Sequence, residues 1–465
     1  MKWFNSSEIS SPLFIGLVAL SLGLLTVIFV NVWSGFQIII PLLFLFLLVI
    51  YRKVLWKIIL LFYVSGLILA LAIPIAIPTF DMERAEYVGV INTGSFRYYR
   101  ASGGYLLDYE SQSWRPYKND IELILSRVRE EPKIGERIWA AGEIEKINRY
   151  PFYSLKVKDY GVIPPDKIHS LSISFREKII SSMKVNGISN TLPFSVFFGG
   201  AIDMERNLEK SVRNAGISHI FAVSGLHVSL LYLLLRWLFG LMLIDRKLNM
   251  LVTIIFLGLY VLSTGPAISA VRAFLVLLLY TFFSIIDYKQ SSLNILGLAG
   301  IIMLVVSPMI IVSVSFQLSF LATSGILLIV NAFDYSEMTF LKKAVLVGVG
   351  AQIAVLPISV ATFGTFSMLT IPLTIISVPL FVFPVYIGSL MVFLFDMLKI
   401  KPLALIMARG IETISNIFEK AVINLSEIIP AFEINESWRY SLALCISLSL
   451  FCSFFFFFRH SGQRP

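Results

Sequence analysis

The sequence predicts a polytopic α-helical membrane protein with a small inserted β-barrel. Three observations predict it. The 465 residues are 57% hydrophobic and only 14% charged, about half the charge of a soluble domain, with a mean hydropathy of +0.82. Apolar runs close to the ~20 residues that cross a bilayer as a helix recur from residue 13 to residue 458. One stretch, 81–165, interrupts them with short alternating runs of the kind that form half-buried strands. The alternation of an outer-membrane barrel is absent elsewhere.

The N-terminal part, 1–80, reads as three transmembrane segments near 13–32, 36–50 and 55–77. The first is too long for a cleaved signal peptide, and no small-residue cleavage site follows it. Arg52, Lys53 and Lys57 separate the second and third segments. If that cluster is cytoplasmic, so is the N-terminus, and the third helix delivers residue 78 to the outer side.

Within 81–165, EYVGVIN, DIELILSRV and ERIWAAGEIEKI alternate apolar and polar residues. Turn signals at Gly103-Gly104, Glu131-Pro132, Gly135, Asn148 to Pro151 and Pro164-Pro165 separate about five strands. This fits a small extracytoplasmic barrel, with the oligonucleotide/oligosaccharide-binding (OB) barrel as the leading form. Residues 166–215 follow as amphipathic or interfacial helices, FREKIISSMKV lying on the membrane surface or on the barrel.

Residues 216–465 form the second membrane block, with segments near 218–243, 249–264, 267–286, 291–306, 309–330, 341–362, 366–397, 402–428 and 437–458. Arg236, Arg246, Lys247, Lys289, Lys342, Lys343, Lys399, Lys401, Arg459 and Arg464 mark their ends. Not all of these ends can be cytoplasmic under strict alternation, so some segments are expected to be broken, re-entrant or interfacial. Pro357, Pro372, Pro379 and Pro384 favour such breaks, which are tolerated where freed backbone lines a cavity or packs on protein.

Charge agrees with the membrane assignment. The net charge is +9, yet 17 basic and 15 acidic residues stand between Asp81 and Asn190. Most of the excess therefore belongs to membrane loops, in keeping with the positive-inside bias rather than with a basic globule. Cys445 and Cys452 share a face of the last apolar segment and read as packing residues. No phosphate-binding G-x-x-x-x-G-K-[ST] loop, no zinc-ligand spacing and no cofactor fingerprint occurs. Neither a cofactor nor a metal is expected.

Four segments set polar groups inside apolar sequence: Ser218 to Ser229, Ser263 to Arg272, Ser315 to Phe320, and Gly350-Ala351-Gln352 followed by Phe363 to Ser367. A charge at bilayer depth costs several kcal/mol, so Arg272 requires a partner, water or the interface. Ser224, His227, Arg272, Gln317, Ser319 and Gln352 are candidate lining residues of a polar path. Interhelical hydrogen bonds are the alternative account of each. Ser224 and His227, one turn apart on one helix face, also suit an intramembrane hydrolase, which would need an oxyanion hole and a group to orient the imidazole. In the barrel, Arg97, Tyr98, Tyr99 and Arg100, with Trp114-Arg115-Pro116-Tyr117-Lys118 beyond, interleave cations and rings. That mixture suits single-stranded nucleic acid and equally suits lipid headgroups.

AGISHIFAVSGLHVSLL resembles the hallmark of the ComEC family of competence proteins. GPAISAVRAFLVLLL, SPMIIVSVSFQLSFLATSGILLI and GAQIAVLPISVATFGTFSM resemble further family segments, in the family order. Two positions depart from the family pattern: Ser315 stands where Gly is frequent, and Thr374 where Asn is usual. The resemblance implies a channel in the bacterial inner (plasma) membrane that admits single-stranded DNA during natural transformation. It implies as partners a DNA receptor, a cytoplasmic helicase, a separate nuclease and a second copy in a homodimer, besides the lipid bilayer. Long members carry a metallo-β-lactamase-like domain. Its His-x-His-x-Asp motif is absent here, so a short, non-enzymatic form is expected. The alternative is a transporter or channel for another anionic or polymeric substrate.

Overall fold

The computed structural model describes residues 11–32, 56–71, 85–95, 98–108, 113–117, 120–125, 132–147, 151, 153–199, 206–221, 223–333, 338–367, 370–428, 432–433 and 438. The expected segment near 36–50, and that near 437–458 apart from Trp438 and with both cysteines, lie outside the described residues.

Two apolar helices, α1 (Pro12–Val32) and α2 (Trp56–Leu71), open the chain. They run in the same direction: Gly16 lies against Phe62 and Gly23 against Tyr63 and Gly66. Gly23 and Gly66 let the backbones touch, since a Cβ on either would meet the other helix's carbonyl. Small residues at such crossings are the usual device for helix packing in lipid.

Six strands follow: β1 (Ala85–Ser95), β2 (Tyr98–Asp108), β3 (Ser113–Tyr117), β4 (Ile121–Leu125), β5 (Arg137–Lys146) and β6 (Tyr153–Ile163). Five close into a ring in the order β1-β2-β4-β6-β5-β1, while β3 adds to the outside edge of β2. Among the described strands of the barrel only the β4–β6 pairing is parallel. This closed five-stranded ring is the barrel that the alternation predicted, with the OB plan. Alternation fills its interior: Ile121, Leu123 and Leu125 from β4 meet Ile138, Ala140 and Ile144 from β5 and the ring of Tyr87. Gly103-Gly104, expected as a turn, instead lies inside β2 at a register shift against β1. Gly103, with φ +63°, makes a bulge there rather than a strand end.

Helix α3 (Lys167–Val185) is amphipathic and starts at Asp166, whose side chain accepts the His169 N–H at 2.9 Å. It packs between the barrel and the membrane block. Next come α4 (Leu192–Phe198), buried along its whole length, and the polar α5 (Arg206–Asn214).

The membrane block contains α6 (Gly225–Leu241), α7 (Arg246–Ser263), α8 (Ile268–Ile285), α9 (Ser292–Val306), α10 (Val314–Ala332), α11 (Phe340–Phe363), α12 (Thr370–Ser377), α13 (Phe383–Met397) and α14 (Lys401–Ile428). Six helical stretches among the described residues are long and apolar enough to cross a bilayer: Ser218–Leu241, α7, α8, Val314–Asn331, α11, and Thr370–Met397, which is α12 and α13 run together. The chain is a polytopic membrane protein with an inserted barrel.

The prolines do not break the helices as expected. Pro357 lies within α11, and Pro372 lies in the first turns of α12. Around Pro379 the chain widens into a π-helical stretch, Val378–Val382, and continues as α13 through Pro384. A π-turn absorbs the missing N–H without interrupting the helix. It also turns Phe381 inward, where its ring stacks on Phe418 at 3.8 Å.

Arg246 with Lys247 and Lys289 stand at the α6–α7 and α8–α9 turns, at one end of these helices; Arg459 and Arg464 lie outside the described residues. Hydrogen bonds tie that end together: Arg236 donates to the Arg246 carbonyl at 3.3 Å, Arg246 to Ser284 Oγ at 3.5 Å, and Lys247 pairs with Asp287 at 3.5 Å. The start of α1 lies there too, with Ser11 Oγ bonded to Ser291 Oγ at 3.1 Å and the Leu13 N–H to Asn294 at 3.2 Å. The barrel meets the opposite end, where Asn92 and Ile134 touch Gly265 between α7 and α8.

Candidate functional site

The site is built around the start of α6. A single 3-10 turn, Ser218–Ile220, leads to Ser224, which is the residue before the helix rather than a member of it. The expected shared helix face of Ser224 and His227 is thus a helix cap. Ser224 Oγ accepts the Leu226 N–H at 3.3 Å, and His227 Nδ1 accepts the Ser224 N–H at 3.2 Å. Ser224 Oγ also lies 3.0 Å from Nδ1. The imidazole fills the place that Glu takes in a capping box. With Nδ1 accepting, the proton of a neutral ring goes to Nε2, assigned here from the hydrogen bonds. His227 is 1% exposed, and its Nε2 has no hydrogen-bond partner among the described residues. The ring lies 5.4 Å from that of Tyr386. Around it, Tyr260 donates to the Phe197 carbonyl at 2.7 Å, and Phe197 stacks on Tyr386 at 4.9 Å. Among the described residues no carboxylate bonds the imidazole, and the pair holds the helix start.

Arg272, on the second turn of α8, reaches over that helix start. Its Nη1 donates to the Ser319 carbonyl of α10 at 2.6 Å, and Thr323 Oγ1 bonds the same carbonyl at 2.9 Å. A Cβ on Gly225 would collide with Arg272 Nη2; the glycine makes the room. One turn earlier on α8, Ser269 donates to the Val223 carbonyl at 2.6 Å. The structure thus joins Ser224, Gly225, Arg272 and Ser319, three of the four polar segments, at one point.

The end of the fourth segment packs on the residues that precede α6. A Cβ on Gly216 would strike Thr370 Oγ1 and approach Ser367. His219 Nε2 lies 3.3 Å from Thr374 Oγ1. His219 and Thr374 were missed as a pair, since 155 residues separate them; the sole signal was that each stands in or beside a recognised segment.

Two expected lining residues stand elsewhere. Gln317 donates to the Ile311 carbonyl at 2.9 Å and fastens the 3-10 turn Pro308–Val312 beneath α10. Gln352 is half-buried on α11, two residues past Gly350, where that helix crosses α10 at Gly325. It belongs to that crossing rather than to the Arg272 cluster.

The four expected contact residues of the barrel separate by strand alternation. Tyr98 is 59% exposed, Tyr99 only 5%, and Arg100 faces outward with Tyr98, directly across from Glu122 of β4. Tyr99 is therefore core, not contact surface. Arg97 lies outside the described residues. Tyr105 and Trp114 extend the exposed aromatic face along β2 and β3.

The barrel is fastened to the site end by α3. Lys133 pairs with Glu177, whose hydrogen bond raises the lysine pKa, and Ile173 packs on Gly135. Arg176 donates to the Ser263 carbonyl at 3.1 Å and lies over the Phe198 ring at 4.9 Å. Burial lowers its pKa to about 10, so it stays charged at neutral pH.

Fold and site together define a membrane-spanning protein that carries an OB-type barrel at one end and joins three of its polar segments on that side. Residues 196–461 match the family model described as "Competence protein", and the chain belongs to that family. It is 28% identical over 227 residues to "ComE operon protein 3" of Bacillus subtilis (strain 168), a match covering 48% of this chain and 29% of that protein. It is 28% identical over 262 residues to an uncharacterized protein of Aquifex aeolicus (strain VF5), covering 56% of this chain and 60% of the relative. The chain thus spans less than two thirds of the length of either relative. No solved structure matches.

Proposed function

We propose that the chain is a bacterial inner-membrane component that passes single-stranded DNA into the cytoplasm. Membership in the competence family supports the substrate. The observation that carries the reading is the meeting of three polar segments, at Gly225, Arg272 and Ser319, on the barrel side of the membrane block. In this reading the Lys/Arg-bearing end is cytoplasmic and the barrel stands on the outer side. The exposed face of Tyr98, Tyr105 and Trp114 stacks on unpaired bases, a contact worth about 1–3 kcal/mol per base. The strand then passes the start of α6, and a cytoplasmic helicase draws it inward, because this chain has no phosphate-binding loop for nucleotide hydrolysis.

The test is uptake of fluorescent DNA by cells with and without the gene, alongside labelled small anions. DNA entry that depends on the protein, with anion entry unchanged, supports the proposal. Unchanged DNA entry together with lost entry of a small anion overturns it in favour of a solute transporter. Cysteines at Lys247 and at Ser113 fix orientation: an impermeant maleimide should label only the latter in intact spheroplasts.

A further inference from the structure

Arg272 is 8% exposed and lies inside the membrane block. Among the described residues its one hydrogen bond goes to the Ser319 carbonyl, and its Nε is buried without a partner. No carboxylate pairs with it there. A neutral glutamine could satisfy one carbonyl without the cost of a buried charge. Buried charges are ordinarily compensated by an opposite charge, and a carbonyl dipole compensates a guanidinium only in part.

The surroundings add to the imbalance. The guanidinium lies against Gly225, the first residue of the 17-residue helix α6. A helix start carries a partial positive charge, roughly half a unit. Two positive centres therefore share one corner. Such a pairing is unfavourable by itself and favourable around an anion, as at other helix starts that hold phosphate. A planar guanidinium with an unused Nε and Nη2 edge fits two oxygens of a tetrahedral oxyanion.

We infer that the corner formed by Arg272, Gly225 and the start of α6 is a discrete seat for one phosphate group. The inference rests on the proposed DNA path and deepens it: the strand would be held phosphate by phosphate at this point. Shared chemistry allows a nucleic-acid phosphate or a lipid headgroup phosphate, and the test separates them.

The full-length protein in detergent is titrated with sodium phosphate against sodium chloride at matched ionic strength, and its thermal midpoint is followed. Phosphate is expected to raise the midpoint, and the half-saturating concentration is expected to rise about tenfold or more in Arg272→Gln. Arg272→Lys keeps the charge, loses the fork and should fall between. A second measurement needs no variant: phenylglyoxal labelling of Arg272 in the wild-type chain, read by mass spectrometry against exposed Arg213. Phosphate and oligothymidylate should protect Arg272 and leave Arg213 unchanged. Protection by phosphatidylglycerol alone keeps the seat and assigns it to a headgroup. If Arg272 resists the reagent, the thermal titration decides alone. A phosphate response identical in wild type and Arg272→Gln overturns the seat. Oligothymidylate binding by the Tyr98 and Trp114 face, measured in the same preparation, tests the DNA reading separately.

Discussion

The carbonyl oxygen of Asn92, in the barrel, occupies the space where a Cβ on Gly265 would project from the α7–α8 loop. Gly265 also has φ +72°, a conformation open to glycine. The barrel and the membrane helices thus meet at a point with no room for a side chain, shortly before Ser269 and Arg272 on α8. Gly265→Ala is expected to loosen the barrel while leaving the helices in place. Limited trypsin digestion should cut between the barrel and α3 several-fold faster, with the amount of protein in the membrane changed less than twofold.

The outer face of the barrel is tested by contrast between neighbours. Tyr98→Ala and Trp114→Ala should each weaken oligothymidylate binding about 5- to 100-fold, from the loss of one stacking contact. Tyr99→Ala removes a core ring and should instead destabilise the barrel by about 3–5 kcal/mol. Fluorescence anisotropy and thermal melts on the full chain separate the two effects.

Ser224 is expected to behave as a cap. Ser224→Ala should cost about 1 kcal/mol, and Ser224→Asn, also a good cap, should recover most of it. DNA uptake should follow the same order. Full uptake in Ser224→Asn would be incompatible with a serine nucleophile, as would the absence of labelling by a fluorophosphonate.

Asp166 gives a pH dependence. The His169 backbone N–H and then the His169 side chain hold its carboxyl below its usual value of 3.8. A depressed folded-state pKa contributes stability that is present above the unfolded value and lost as pH falls through the folded one. The start of α3 should therefore fray below about pH 3.8 and stay intact from there to neutrality. Hydrogen exchange of the amides of α3 across that range reads the change, and Asp166→Ala should show the frayed behaviour at pH 7.

Sequence made the class and the barrel legible because both depend on repeated local patterns, apolar length and alternation. It misled where a local rule met a longer-range one. Pro379 reads as a break, yet a π-turn absorbs it because α14 supplies Phe418 as a stacking partner. Gly103-Gly104 reads as a turn, yet continued pairing with β1 and β3 keeps it within a strand. Tyr99 was misjudged beside Tyr98, although alternation along β2 already puts the two on opposite faces. Ser224 and His227 were placed in a helix because Ser-x-x-His is not the usual capping pattern. The contact of His219 with Thr374 depends on how α12 returns to the barrel end, which no local pattern encodes.

The basic residues at one end of the membrane block bear on biogenesis. From α6 onward the chain is a series of helical hairpins, and Arg246-Lys247, Lys289, Lys342-Lys343 and Lys399 with Lys401 recur at the same turn of each. Under the proposed orientation, positive charge would be renewed at each of these turns rather than set once near the N-terminus. A mutation that neutralises one cluster should leave its neighbours' topology intact.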